Sequence, residues 1–179
     1  DGIVSKLDVG IGDKLANYFT FKPSSYIQGR SNVLQNSAYL YAGAQGQYQK
    51  YLEWDAFGKY SFLGYEANDF TIKANAIFKV YPFRKDRQSP LQLKAHFETN
   101  LKEPDYYEQH LFTNHYKWDN DFGKISTTKV EGTLSIPRWK LDASFGYALL
   151  DNNIYYDTLG IVRQNTKPMS VMTASLRKD

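Results

Sequence analysis

Residues 70–80 read FTIKANAIFKV, and this stretch decides the fold because its apolar and polar residues alternate with a period of two. Phe70 and every second residue after it are apolar, whereas the residues between them are polar, with Ile77 as the exception. About ten steps of 3.3 Å, tilted by about 40°, rise roughly 25 Å, which is about the height of the lipid-facing band of a membrane barrel. The stretch therefore predicts an amphipathic β-strand.

The same alternation recurs on both sides of this stretch, in residues 38–48, 54–62, 91–98, 129–136 and 139–149. Turn signals separate most of these runs, so successive strands are expected to pair antiparallel as a meander. A turn near Lys50 is inferred from strand length alone, because no turn residues mark it. The other turn signals lie at residues 64–69, 82–90, 104–107, 119–123, 137–138, 151–153 and 164–168.

Both ends of the chain are less regular. Candidate strands near residues 154–162 and 169–177 alternate poorly, and the first 35 residues hold two expected strands, near 3–10 and 18–21. No helical segment is predicted. Residues 1–179 are interpreted as a single all-β domain, an antiparallel meander of about nine or ten strands that forms part or all of a transmembrane β-barrel, or a fragment of a larger one.

The composition excludes several classes of function. The chain has no Cys, which excludes disulfides, thiolate zinc sites and cysteine nucleophiles. The formal net charge is +3, and Lys and Arg are interspersed with Asp and Glu, so no basic stripe for nucleic acid is present. No apolar run approaches the roughly 20 residues of a transmembrane helix. The 15 Tyr, 11 Phe and 3 Trp suit a protein at an interface such as the rim of a bilayer.

No catalytic, metal or cofactor site is predicted. His96 shares a strand face with Glu98, but no second His lies at a paired spacing, so the favoured interpretation is polar side chains that face water in a lumen. None of His96, His110 and His115 has a Ser two residues away, which leaves a cross-strand triad as the one catalytic alternative. The glycines at 10–12 and 43–46 open no helix, so a phosphate-binding loop is not expected.

The character of the two strand faces favours a membrane barrel over a soluble β-sandwich. The apolar faces are long and many carry small residues, while the opposite faces are rich in Lys, Gln and Thr at mid-strand, as an aqueous lumen allows. The predicted aromatic girdle consists of Trp54, Phe70 and Trp139, at the starts of apolar strand faces. The predicted lumen-facing residues are Lys73, Asn75, Lys94, His96, Glu98, Lys117, Lys129, Glu131, Lys140 and Asp142.

Two segments carry a resemblance to a known family. Residues 51–70, YLEWDAFGKYSFLGYEANDF, and residues 114–122, NHYKWDNDF, resemble segments of the putative outer-membrane porin family of the Bacteroidetes type. The resemblance extends over residues 37–150. It implies a channel-like β-barrel in the bacterial outer membrane, without catalytic residues.

The residues and the resemblance together predict passive diffusion of small solutes, with weak ion selectivity at most because the lumen charges are mixed. The expected partners are the lipid bilayer and small solutes. Two alternatives stay open: a soluble lipocalin-like carrier with its apolar faces turned inward, and a structural or scaffold β-domain at the cell surface. The chain ends in the charged sequence SLRKD, so we expect the parent chain to continue past Asp179 to an aromatic end.

Overall fold

The computed structural model describes residues 3–19, 32–82 and 90–178. Eight long strands dominate these residues: β1 (Lys6–Phe19), β2 (Asn32–Tyr48), β3 (Leu52–Gly64), β4 (Phe70–Val80), β5 (Leu91–Lys102), β8 (Ile125–Ile136), β9 (Leu141–Asp151) and β12 (Met169–Lys178). Four short strands form two hairpins: β6 (His110–Phe112) with β7 (Lys117–Asp119), and β10 (Asn153–Tyr156) with β11 (Val162–Asn165). A single helical turn, α1 (Tyr106–Gln109), and a 3-10 turn (Pro137–Trp139) lie between strands.

The eight long strands form one antiparallel sheet in the order β1-β2-β3-β4-β5-β8-β9-β12. Each long strand pairs with the next long strand along the chain, so the sheet is a meander that the two short hairpins interrupt. The predicted all-β antiparallel fold is confirmed, and β4 has the limits that the alternation predicts. In place of about nine or ten similar strands, the described residues form eight long strands and four short ones.

The N-terminal region differs from its prediction. The two strands expected near residues 3–10 and 18–21 are one continuous strand, β1, which the structure describes as far as Phe19; Phe21 lies outside the described residues. Glycines weaken strand interiors because they offer no side chain to pack. Here the ring of Tyr41 lies over Gly10 and that of Tyr39 over Gly12, where added Cβ atoms would come within 2.4 Å of them, so neighbouring rings occupy the space.

Two further boundaries are corrected. The strand expected near residues 154–162 is a hairpin of β10 and β11, whose turn includes Gly160 at a φ of 73°. Trp139, expected to begin a strand, lies in the 3-10 turn instead. Pro137 is at the start of that turn and Lys140 ends it in the left-handed region, at a φ of 49°, so the extended backbone resumes only at Leu141.

The connections differ in length at the two ends of the sheet. We call one end the turn end: here residues 49–51 join β2 to β3, and the 3-10 turn joins β8 to β9. The turn inferred near Lys50 is confirmed, with Gln49 at a φ of 50°. The predicted turn at 82–90 falls largely outside the described residues. At the opposite loop end lie residues 65–69, 103–124 and 152–168.

In the described part of the chain, only connections between strands pack on the long strands, and no second sheet covers them. The buried apolar side chains there include Tyr106 and Val162, neither of which belongs to the eight-stranded sheet. Leu7, Val9 and Ile72 project from long strands and are exposed, with Val9 at 72%. Within residues 3–19, 32–82 and 90–178, no helix is long and apolar enough to cross a membrane.

Candidate functional site

The strand register sorts the sheet into two faces, because residues opposite each other on neighbouring strands share a face and successive residues alternate. One row of partners crosses all eight strands and is apolar: Leu7, Ala44, Ala56, Ala74, Phe97, Val130, Tyr147 and Met172. The adjacent row, one residue along, is mostly polar: Lys6, Gln45, Asp55, Asn75, His96, Glu131, Gly146 and Thr173. We call the two surfaces the apolar face and the polar face.

Five side chains at the middle of the polar face form a hydrogen-bonded group, the central polar cluster. Asn75 Nδ2 donates to Asp55 Oδ2 at 2.8 Å, and Asn75 Oδ1 lies 2.6 Å from His96 Nδ1. Glu98 lies between two basic groups: its Oε1 is 3.1 Å from Lys73 Nζ and its Oε2 is 3.6 Å from His96 Nε2. The Lys73 side chain is 45% exposed, so water reaches the ion pair.

Charges of both signs continue along the polar face beyond this cluster. Lys129 lies opposite Glu98 in the register, and its Nζ is 2.9 Å from Glu131 Oε1. Nearer the turn end, Lys79 pairs with Glu53. Because neighbouring charges alternate in sign, the face presents no extended field of a single sign.

The structure brings most of the predicted lumen residues onto this one face. The eight that share it are Lys73, Asn75, Lys94, His96, Glu98, Lys129, Glu131 and Asp142. The other two lie off it: Lys117 belongs to the short hairpin strand β7, and Lys140 ends the 3-10 turn before β9 begins. The polar character of Lys117 predicts a lumen position, but the chain leaves the main sheet after Lys102 and returns to it only at Ile125.

The three predicted girdle residues lie at both ends of the sheet. Phe70 begins β4 at the loop end, whereas Trp54 and Trp139 lie near the turn end. Phe70 and Trp54 belong to the apolar face, since they share it with Ala76 on β4. Trp139 is 59% exposed in its turn.

Aromatic rings also lie on the polar face, above β1. Tyr39 and Tyr41 cover Gly12 and Gly10, and their ring centroids are 6.4 Å apart. The ammonium group of Lys59 lies 4.1 Å from the centroid of the Tyr39 ring, within the range of a cation–π contact.

The connection between β5 and β8 folds back across the polar face. We call residues 103–124 the excursion. Its Tyr106 ring stacks on the ring of Tyr18 in β1, at a centroid distance of 4.4 Å and an interplanar angle of 16°. Tyr18 is on the polar face because it lies four residues after Lys14, whose register partner is Ser37. The excursion therefore reaches from the fifth strand of the sheet to the first.

The excursion has a small polar core of its own. Gln109, only 4% exposed, donates through Nε2 to Glu103 Oε1 and to the Phe122 carbonyl oxygen, both at 3.2 Å. Its Oε1 accepts a hydrogen bond from the Phe122 N–H at 2.7 Å. One buried amide thus joins the start and the end of the excursion.

Three charged groups fix the base of the excursion to the β3–β4 turn. Lys124 Nζ pairs with Asp69 and lies 3.2 Å from Glu103 Oε2. Asp69 also accepts the Glu103 N–H, at 3.0 and 2.9 Å to its two oxygens. Burial lowers the pKa of Lys124, but its hydrogen bonds and the charges of Asp69 and Glu103 outweigh burial, so the pKa lies above its ordinary value. We call Asp69, Glu103 and Lys124 the anchor cluster.

Two phenols beside this cluster are also shielded from water. Burial, and after it the charge of Glu103, raises the pKa of Tyr65 well above its ordinary value. Burial likewise raises the pKa of Tyr106, helped by the charge of Asp119. Tyr65 Oη donates to the Pro104 carbonyl oxygen at 3.0 Å, so the β3–β4 turn holds the start of the excursion.

A polar cavity of about 270 Å³ lies at the loop end of the sheet. It could hold a few waters or a small polar solute. Among the described residues, no group of three or more His, Asp or Glu side chains is placed to hold a metal ion. The lining comprises Lys59, Ser61, Glu66, Asp69, Phe70, Thr71, Lys102, Glu103 and Asp105.

Sequence reasoning missed the residues of the excursion. Pro104 predicts a turn, but the Asp105-to-Glu108 spacing that follows it is a helix-start signal, and the Glu108 side chain accepts the Asp105 N–H at 3.1 Å. No local pattern marks the pairing of Tyr106 with Tyr18 or of Lys124 with Asp69, because these partners are far apart in sequence.

Comparison with known proteins gives one match. A family model with the description "Putative porin" matches residues 4–179, nearly the whole chain. Neither the search of curated proteins nor that of solved structures gave a significant match.

Proposed function

The chain belongs to the putative porin family, and from that membership we propose that it forms part of the wall of an outer-membrane β-barrel through which small solutes diffuse passively. In this proposal the apolar face lies against lipid and the polar face lines a water-filled lumen. The predicted resemblance to this family is confirmed by the family match. The membrane location and the transport belong to the proposal.

One observation carries the proposal: among the described residues, an extended apolar face is uncovered on a sheet whose other face is polar. Monomeric soluble proteins seldom expose apolar patches of more than a few hundred Å². Here exposed apolar side chains occur on every long strand, from Leu7 on β1 to Leu176 on β12, and the latter is 74% exposed. A hydrocarbon solvent around the sheet removes the cost of this exposure.

The soluble-carrier alternative assigns the two faces the opposite way. A carrier would fold its apolar face inward around a ligand and present its charges to the outside. The excursion instead packs on the polar face, through the Tyr106–Tyr18 stack, and a connection that folds over the charged face fits a barrel with that face inside. This observation favours a wet interior over an apolar one.

The central polar cluster has a clear role in such a lumen. Lys73, Glu98 and His96 are partly exposed and paired with one another, so they offer a passing solute hydrogen-bond donors and acceptors without a strong net charge. Trp54 and Phe70, at opposite ends of the apolar face, suit the two membrane interfaces where aromatic side chains gather.

Reconstitution of the full-length protein in planar bilayers tests the proposal. We expect ohmic single-channel conductance with a cation-to-anion permeability ratio close to unity, because charges of both signs line the polar face. For each recording, the circular dichroism spectrum of the same protein in liposomes verifies that its β-sheet has folded. Folded protein that neither conducts nor releases small sugars from liposomes would contradict passive diffusion and favour the scaffold alternative.

A further inference from the structure

The excursion is much longer than the connection it makes. Lys102 at the end of β5 and Ile125 at the start of β8 are register partners, directly opposite each other across the ladder. Antiparallel partners of this kind are commonly joined by two to five residues. Residues 103–124 are therefore not needed to join the strands, and their ordered contacts indicate another role.

Those contacts lie on the polar face and reach its far edge. Starting from β5, the excursion contacts the β3–β4 turn through Tyr65 and Asp69, and then β1 through Tyr18 and Phe19. The Tyr107 hydroxyl oxygen accepts the Phe19 N–H at 3.4 Å. At the loop end, the excursion thus forms a bridge over the polar face, from β5 to β1.

Buried side chains and hydrogen bonds hold the excursion in one position against the sheet. Tyr106 is 5% exposed in its stack on Tyr18, although α1 is a single turn, and Pro104 is fully buried. Gln109 joins both arms of the excursion, and the anchor cluster ties its base to the β3–β4 turn. Charge-assisted hydrogen bonds between partly shielded groups are stronger than those between fully exposed ones.

We infer that the excursion is a constriction built into the lumen: it narrows the channel at the loop end and sets the largest solute that can pass. This inference rests on the proposed function, and it deepens it by assigning the size limit to residues 103–124. Tyr106 and the anchor cluster are positioning residues, since they hold the bridge against the sheet. Solutes wider than the gap beside the bridge are excluded, while small polar solutes pass.

Replacement of residues 104–123 by Asn-Gly tests this inference in the full-length protein. Asn-Gly suits a two-residue hairpin turn, here between Glu103 and Lys124, which directly follow the register partners Lys102 and Ile125, so the sheet is expected to keep its fold. Because conductance follows the width of the narrowest section, we expect single-channel conductance to rise about twofold or more. Polyethylene glycols excluded by the wild-type protein should enter the variant channel. The matched control replaces residues 49–51, the β2–β3 turn at the opposite end of the sheet, by Asn-Gly between the register partners Tyr48 and Leu52, and should leave both measurements unchanged.

A point variant tests the same inference without altering chain length. Tyr106→Ala removes the stack on Tyr18 and should raise the polymer size limit, whereas Tyr155→Ala, a change of the same type at a half-exposed position of β10, should not. If the shortened chain does not fold, the polymer size limit of Tyr106→Ala alone tests the constriction.

The outcomes separate the two proposals. A conducting wild type whose conductance and size limit stay the same in the shortened and Tyr106→Ala proteins overturns the constriction and leaves the porin function standing. A silent wild type that conducts after shortening supports the constriction, as a bridge that closes the lumen fully. Silence in every folded variant overturns both.

Discussion

The two faces of the sheet differ in almost every respect, although each strand supplies both. Ala74 and Asn75 are successive residues of β4, yet Ala74 lies in a row of Ala, Leu, Val and aromatic residues while Asn75 joins Asp55 to His96. Side-chain hydrogen bonds and ion pairs are abundant on the polar face. The apolar face has no protein layer packed on it among the described residues. An alternation with a period of two thus gives each strand one apolar and one polar side, and in the proposed barrel these sides would meet two different solvents.

Because the apolar face is uncovered among the described residues, the sheet lacks the packed apolar interior that usually stabilises a soluble domain. A soluble domain gains most of its folding free energy by removing apolar side chains from water into a packed interior. Here the apolar side chains remain outside, and lipid would take the place of the interior. The backbone ladder, the polar-face contacts and the excursion are the parts that hold the fold together from within.

The largest expected effect comes from placing one charge on each face. Lys at position 76 would project from the apolar face and cost about 2–4 kcal/mol near the bilayer midplane. Lys at position 75 would project from the polar face, where in the proposed barrel water would solvate it and Asp55 could pair with it. We therefore expect Ala76→Lys to reduce the yield of folded protein and its stability to urea in liposomes, and Asn75→Lys to be tolerated. Equal losses in the two variants would contradict the assignment of faces.

Labelling of the same two positions sharpens this result without a stability measurement. The chain has no Cys, so single cysteines are clean probes. A cysteine at position 75 should react with a water-soluble maleimide if the pore admits the reagent, and one at position 76 should resist it. A spin label at 76 should be relaxed by oxygen in lipid rather than by a polar nickel chelate. The reverse pattern at position 76 would refute the membrane arrangement.

A smaller difference in stability is expected between valine substitutions of two glycines on neighbouring strands. A Cβ at Gly146, on the polar face, would come within 2.6 Å of Thr173 Oγ1, whereas a Cβ at Gly132, on the apolar face, would meet nothing within 4 Å. Gly146→Val should therefore destabilise the protein by about 1–3 kcal/mol through crowding. Gly132→Val should be close to neutral, because in the proposed arrangement its side chain would enter lipid. Urea unfolding of both variants in liposomes measures the difference, and an equal cost would mean that the apolar face is packed against protein.

Much of the sheet could be predicted from the sequence because alternation is a local property. The limits of β4 follow from residues 70–80 alone, and eight of the predicted lumen residues share one face. Register then follows from short turns between strands. The turn at Gln49 shows the limit of this reasoning, since only strand length pointed to it.

The excursion could not be predicted in the same way. Tyr106 contacts Tyr18, and Lys124 contacts Asp69, although 88 and 55 residues of sequence separate the two pairs, and no spacing rule links partners so far apart. Lys117 shows the consequence: its polar character matches a lumen residue, but its strand belongs to a separate hairpin. Alternation says which side of a strand a residue faces, and it does not say which sheet the strand joins.

Loss of one ion pair on the polar face should have a small effect. Lys73 is 45% exposed, and exposed pairs contribute about 0–1 kcal/mol, so Lys73→Met should lower stability by less than about 1 kcal/mol. Glu98 keeps His96 as a neighbour and can be solvated by water. The same substitution in a dry interior would leave a buried carboxylate unpaired and cost several kcal/mol. A loss of that size would show that the polar face is not wet.

The smallest effect is expected in the β10–β11 hairpin, which lies off the eight-stranded sheet and gives a reference carboxylate away from the polar face. The Ile161 N–H donates to Asp157 Oδ1 at 3.0 Å and the Leu159 N–H donates to it at 2.9 Å, while Arg163 Nε lies 3.2 Å from Oδ2. These contacts, first of all the one from Ile161, lower the pKa of Asp157. Because the folded state favours the carboxylate, the stabilisation of the hairpin is fully present above the ordinary Asp pKa of about 4 and is lost as the pH falls through the lowered value.

Amide hydrogen exchange at Leu159 and Ile161, compared at each pH between wild type and Asp157→Asn, measures this stabilisation. The wild type should be better protected at neutral pH, and the difference should vanish in acid. Conductance should not follow this titration, because Asp157 lies in the hairpin and not on the polar face. A channel that closes or opens in step with Asp157 would instead couple the hairpin to the lumen, and the reference carboxylate would then belong to the wet face of the sheet.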